Sequence, residues 1–92
     1  MLALELASHR VTVNSVCPGS IDTDMMDGTF SRTAERMNLN VEAVKGAVKG
    51  FIPLARQGDA AEIASMVAYL ASSEAAYITG QVICVDGGVG LR

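Results

Sequence analysis

Along the chain, apolar positions first bunch from Val11 to Cys17, a β-branched-rich run that stops at Pro18-Gly19. Such a run predicts a buried strand delivered into a tight turn, because Pro lacks the ladder N–H and Gly tolerates any φ. Upstream, residues from Met1 to about Ser8 are helix formers with Leu2 and Leu6 at i,i+4 and no N-cap before them, so they read as the tail of a longer helix. Between Thr23 and Ile52 charges alternate with Met25, Met26, Phe30, Met37 and Phe51, and two short helices are expected. One starts with Thr23 as N-cap; the other covers Val41 to Val48, with Val41, Val44 and Val48 sharing a face. The Met-rich character fits an adaptable pocket wall or ordinary core filling equally well.

Pro53 to Gly58 punctuate the chain, and Asp59-Ala60-Ala61-Glu62 carries a capping-box pattern that starts another helix. Its Ile63, Met66, Val67 and Leu70 fall at i, i+3, i+4 and i+7, a broad apolar face for packing on a sheet. Ser72-Ser73-Glu74 ends it, Tyr77 to Gly80 forms a turn, and Gln81 to Val85 is a continuous apolar run of the kind found in parallel strands covered on both faces. Asp86-Gly87-Gly88 closes that strand. The order strand, irregular segment, helix, strand is one right-handed βαβ crossover, giving an α/β class. Ligands in such sheets sit at the carboxyl ends of the strands, and Ser20, Ile21 and Thr23 follow the Pro-Gly corner there. That is binding geometry without a catalyst.

Composition narrows the function. Ninety-two residues bury only about 60–65% of the unfolded surface even in a complete domain, yet 50% of this chain is hydrophobic and mean hydropathy is +0.33. The excess apolar surface calls for a protein partner. No run approaches the ~20 apolar residues of a membrane span. A net charge of -3 with scattered Lys and Arg, and 4% aromatic residues, argue against nucleic acid. Cys17 and Cys84 lie in apolar runs and read as reduced, buried small hydrophobes; with no signal-peptide pattern at Met1–Ala7, the expected compartment is the cytoplasm. Asp22 and Asp24 have no companions for a metal and read as a solvated pair, and His9 reads as a solvated surface histidine.

Three motifs together resemble one family. Asn14-Ser15-Val16-Cys17-Pro18-Gly19-Ser20-Ile21-Asp22-Thr23, Pro53-Leu54-Ala55-Arg56-Gln57-Gly58 and Tyr77-Ile78-Thr79-Gly80-Gln81-Val82-Ile83-Cys84-Val85-Asp86-Gly87-Gly88 look like the C-terminal third of a short-chain dehydrogenase/reductase. The resemblance implies strands six and seven of a Rossmann-like, doubly wound parallel sheet, with residues 23–52 as the substrate lid and earlier strands upstream of Met1. It implies a role in NAD- or NADP-dependent interconversion of an alcohol and a ketone or aldehyde, in a homo-oligomer joined through the Ile63–Leu70 helix and the Gln81–Val85 strand. Pro18 and Gly19 would shape the corner, the Ile21 backbone would meet the nicotinamide carboxamide, and the Thr23 hydroxyl would bond the carboxamide or a phosphate oxygen. The plainer alternative has Thr23 only capping a helix and Ile21 only filling core.

The family's catalytic residues are not in these motifs. Its proton donor is a Tyr with a Lys four residues on, but Ser73 follows Tyr69 at that spacing and Gln81 follows Tyr77. Gly87-Gly88-Val89-Gly90 has no helix after it and reads as a terminal turn, not as a pyrophosphate loop. The chain alone is therefore expected to be inactive, and its readings are two: part of an oxidoreductase, or a non-catalytic interaction module derived from that family. The Arg10 position, where the family leaves its helix through Gly, puts a left-handed cap in doubt.

Overall fold

The computed structural model describes residues 2–91, in the order α1 (Leu2–Ala7), β1 (Ser15–Pro18), α2 (Asp24–Met37), α3 (Val41–Phe51), α4 (Ala60–Leu70) and β2 (Val82–Val85). Short 3-10 turns lie at Ser73–Ala75 and Val89–Leu91. β1 and β2 pair in parallel, with Ser15 opposite Val82, Val16 opposite Ile83, Cys17 opposite Cys84 and Pro18 opposite Val85. Parallel neighbours need a long crossover, and everything between them supplies it.

β1 is shorter than the apolar run that announces it. Before Ser15 the partner segment turns at Gly80, φ +74°, so side chains replace the ladder. Val13 N–H donates to Thr79 Oγ1 at 3.0 Å, Asn14 Nδ2 donates to the Ile78 carbonyl at 3.1 Å, and Asn14 Oδ1 accepts from Gln81 N–H at 3.0 Å. Asn14 thus bolts the two strands together at their entry. α1 ends in the left-handed turn that its sequence put in doubt. Arg10 adopts φ +60°, with Arg10 N–H on the Ala7 carbonyl and Val11 N–H on the Leu6 carbonyl, the double bond of a Schellman cap.

The two lid helices form a hairpin with a core of their own. Phe30, Ala34 and Val44 are buried, and Met26, Val41 and Val48 pack against them. Met26 and Phe30 are therefore core fillers, while Met25 and Met37 are exposed. Caps set both starts: Thr23 Oγ1 accepts from Met26 N–H at 3.2 Å, and Asn40 Oδ1 accepts from Ala43 N–H at 2.7 Å. α4 packs against β1, with Ile63, Met66 and Leu70 half-buried on the side of Val16, Ile83 and Val85.

The other face of the sheet is bare. Ser15, Cys17, Val82 and Cys84 are exposed there, which corrects the expectation of strands covered on both faces and of buried cysteines. Alternation assigns each strand residue a face, but burial depends on what lies over that face. Among the described residues only Phe30, Ala34, Val44, Ile52 and Ala75 are buried, and the radius of gyration is 17.0 Å. A compact chain of this length would measure about 12 Å. We therefore expect the 92 residues by themselves to self-associate through apolar surface. Sedimentation velocity across a concentration series checks this, and a monodisperse monomer that melts cooperatively at every concentration would contradict it.

Candidate functional site

The corner after β1 is built by close backbone approach. Gly19 N–H donates to the Val85 carbonyl at 3.0 Å, and a Cβ on Gly19 would stand 2.7 Å from Asp86 Cβ and 2.8 Å from Asp86 Cα. Only glycine lets the end of β1 lie on the end of β2. The chain then runs beside the Pro53–Gly58 loop: Gly58 N–H donates to the Ser20 carbonyl at 3.0 Å, and Asp22 N–H donates to the Gly58 carbonyl at 2.9 Å. Ile21 is the parallel-bridge partner of Gly58.

That bridge aims the Ile21 backbone. Ser20 C=O and Asp22 N–H face Gly58, so by the alternation of an extended chain the Ile21 N–H and C=O face the opposite side. Neither makes a hydrogen bond among the described residues. An adjacent donor and acceptor pair is left at the carboxyl end of β1. Thr23 stands two residues on, its oxygen accepting from Met26 N–H while its own O–H remains available to donate, at the N-terminus of the 14-residue α2. Of the expected corner residues, Pro18, Gly19, Ile21 and Thr23 are brought to this one turn. Capping and ligand binding by Thr23 are compatible, since they use different parts of one hydroxyl.

The loop that aims Ile21 is held by groups the motif reading did not single out. Gln57 Nε2 donates to Ser20 Oγ at 3.1 Å. Arg56 makes a bidentate pair with Glu62, 2.7 Å and 3.0 Å, and also donates to the Gln57 carbonyl at 3.1 Å. Glu62 Oε1 accepts from Asp59 N–H at 3.0 Å, its half of the expected capping box. Arg56, followed by Asp59 N–H, holds the Glu62 carboxyl down at about 2, and Glu62 in turn raises Arg56. On the other side, Leu54 N–H donates to the Gly87 carbonyl at 3.1 Å, and Gly87 fits, with φ +64°, where a Cβ would lie 2.7 Å from Ile52 Cγ2. Gly87-Gly88 does form a terminal turn, and it also seats the loop that leaves the lid. No group of three or more His, Cys, Asp or Glu suited to a metal occurs among the described residues. No described helix is long and apolar enough to cross a membrane.

The comparisons with known proteins agree with this corner. The family model described as enoyl-(acyl carrier protein) reductase matches residues 1–90. The chain belongs to the short-chain dehydrogenase/reductase family. It is 46% identical over 90 residues to nodulation protein G of Rhizobium sp. strain N33, covering 98% of this chain and 32% of that protein. It is 48% identical over 88 residues to a 3-oxoacyl-(acyl-carrier-protein) reductase of Pseudomonas aeruginosa, covering 96% and 31%. The chain thus spans about a third of the length of these curated relatives. Its fold superposes on a short-chain dehydrogenase family protein from Francisella tularensis with a TM-score of 0.93 at 33% identity, covering 99% of this chain and 38% of that one. An actinorhodin polyketide ketoreductase solved with NADPH gives 0.88 at 35% identity, over 99% and 35%. These likenesses establish the Rossmann-like α/β class of the family for this segment.

Two outcomes are expected. Gly19→Ala forces the strands apart at Asp86 and lowers stability by about 1–3 kcal/mol, read from the melting midpoint at fixed protein concentration. An unchanged midpoint would show that the corner is not tightly packed. For Glu62, the lowered carboxyl stabilises the fold in full above its ordinary 4.5, and that contribution is lost as the pH falls through about 2. Arg56→Ala should move the Glu62 titration, followed by carboxyl NMR, upward toward 4.5. High salt should reduce the shift in the parent chain, because the pair is solvent-exposed.

Proposed function

We propose that this chain forms the nicotinamide corner and the substrate lid, residues 23–52, of an NAD- or NADP-dependent oxidoreductase that interconverts an alcohol and a ketone or aldehyde. The observation that carries the reading is the unpaired Ile21 N–H and C=O, aimed together away from Gly58. A primary carboxamide offers one acceptor oxygen and two donor hydrogens, the complement of such a pair. Recognition by backbone tolerates the apolar Ile21 side chain. Pro18 and Gly19 hold the turn, the Thr23 hydroxyl donates to the carboxamide or to a phosphate oxygen, and the N-terminus of α2 favours the negative charge of a phosphate.

When bound, the nicotinamide supplies or accepts the hydride. This chain's own part is to orient the ring edge and to shield it from water with the lid. The proton that must accompany the hydride comes from another group, since neither Tyr69 nor Tyr77 has a lysine four residues on. The family resemblance places that Tyr-x-x-x-Lys on the helix of which α1 is the end. A cytoplasmic setting accords with two free cysteines that face each other across the sheet.

One observation favours the interaction-module reading beside this one. Val67 and Tyr69 of α4 and Val82 of β2 are large, apolar and exposed, and β2 is paired on one side only among the described residues. The Ile63–Leu70 helix and the Gln81–Val85 strand suit a self-complementary contact with a second copy. The two readings are compatible, because the corner lies at the carboxyl end of the sheet and this face along its flank.

Nicotinamide added to the isotope-labelled chain at millimolar concentration should shift the Ile21 amide resonance more than those of the lid, and Thr23→Val should weaken the response to NAD more than to nicotinamide. The 92 residues alone should leave the absorbance of a reduced cofactor unchanged in the presence of a ketone. An Ile21 amide that ignores nicotinamide would remove the cofactor reading.

A further inference from the structure

Between α3 and the chain's last turn lies a cleft of about 360 Å3 that opens beside the corner. Gly19 and Ser20 form its floor; Ala47, Val48, Phe51 and Ile52 form one wall, and Val89 the other. No charged side chain lines it, although α3 carries Glu42, Lys45 and Lys49. The volume falls in the range of small-molecule sites, about 300–1,000 Å3. Its floor residues are the immediate neighbours of Ile21, so whatever occupies it lies next to the proposed nicotinamide carboxamide site.

We infer that this cleft takes the apolar tail of an uncharged aliphatic carbonyl compound or alcohol, and that Val89 is a specificity-determining residue at its far wall. The inference rests on the cofactor reading for the position of the reacting end, and on the lining alone for the chemistry of the tail. A carboxylate, phosphate or sugar in the cleft would lose water without gaining a charged or multiply hydrogen-bonding partner. An aliphatic chain exchanges water for the side chains of Val48, Phe51 and Val89.

Val89 is not a loose end. The Asp86 carboxylate accepts from Gly88 N–H at 2.9 Å and from Gly90 N–H at 3.0 Å, and Leu91 N–H donates to the Gly88 carbonyl at 3.0 Å. Val89 is therefore presented by a turn whose amides are gathered on one side chain. Asp86 is a positioning residue for this wall, and its own chain neighbours Gly87 and Gly88 are packed on Ile52 and Pro53 at the other end of the same cleft. The wall and the lid exit are held as one unit.

The test uses the 92-residue chain and a series of 2-alkanones from 2-butanone to 2-decanone, titrated while the methyl resonances of Val48 and Val89 are followed. Affinity should rise about threefold per added methylene until the cleft is filled. Hexanoate, of similar length to 2-heptanone, should bind about tenfold more weakly or worse. Ala47→Asp should flatten the chain-length series, and the isosteric Val89→Thr should reduce the gain only for the longer ketones. Equal affinity along the series, or a slope that both variants leave unchanged, would overturn the inference. Its failure is separable from failure of the cofactor reading. A flat ketone series with a nicotinamide-responsive Ile21 amide removes the cleft assignment alone. A steep series with a silent amide keeps the cleft and removes the cofactor.

Discussion

Everything in this chain depends on two four-residue strands lying parallel. Parallel pairing forbids a short hairpin and forces the chain out through a long crossover and back. Because β1 and β2 finish side by side, the ends of both are brought to one place, and Gly19 lets them touch at Asp86. The Pro53–Gly58 loop then comes to rest between them, bonded to Ser20 and Asp22 on one side and to Gly87 on the other. The bonds of Ser20 and Asp22 to Gly58 turn the Ile21 amide and carbonyl away from it. The corner is thus a product of strand register, and the hydroxyls and apolar groups around it are placed by the same register.

What the amino-acid order reveals is governed by how local each cause is. Thr23 and the Asp59/Glu62 pair announce their helices because a cap is a contact between residues three apart, and the Val41, Val44, Val48 face shows itself by spacing. Asn40 caps α3 in the same way and was within reach of the same reasoning. Strand limits are different. Val11 to Asn14 have the residues of a strand, yet Gly80 bends the partner away, and nothing near Val11 reports that. Burial of Cys17 and Cys84 is likewise a property of the opposite surface. The free Ile21 pair escapes any reading based on side chains, since it is set by which way the backbone faces; the family motif pointed to the position, and the bridge to Gly58 supplies the physical reason.

Electrostatics in the corner play a supporting part. The Arg56–Glu62 pair is exposed and screened by water, so its value lies in geometry more than in energy. One carboxylate ties the loop to the first turn of α4, and one guanidinium ties that turn back to the Gln57 carbonyl. The loop that aims Ile21 therefore inherits the rigidity of a helix, although it contains no regular structure of its own.

The lid hairpin has a different relation to the rest. Its buried residues, Phe30, Ala34 and Val44, all belong to α2 and α3, and none comes from the strands or from α4. Substitutions on the outer side of α3 can accumulate without disturbing the ladder, and changes in the ladder need not unpack the hairpin. Such a separation lets descent with modification try new cleft linings on an unaltered frame. In a chain of this construction, heritable variety in what is recognised can collect in one helical pair while the machinery beneath it stays under purifying selection.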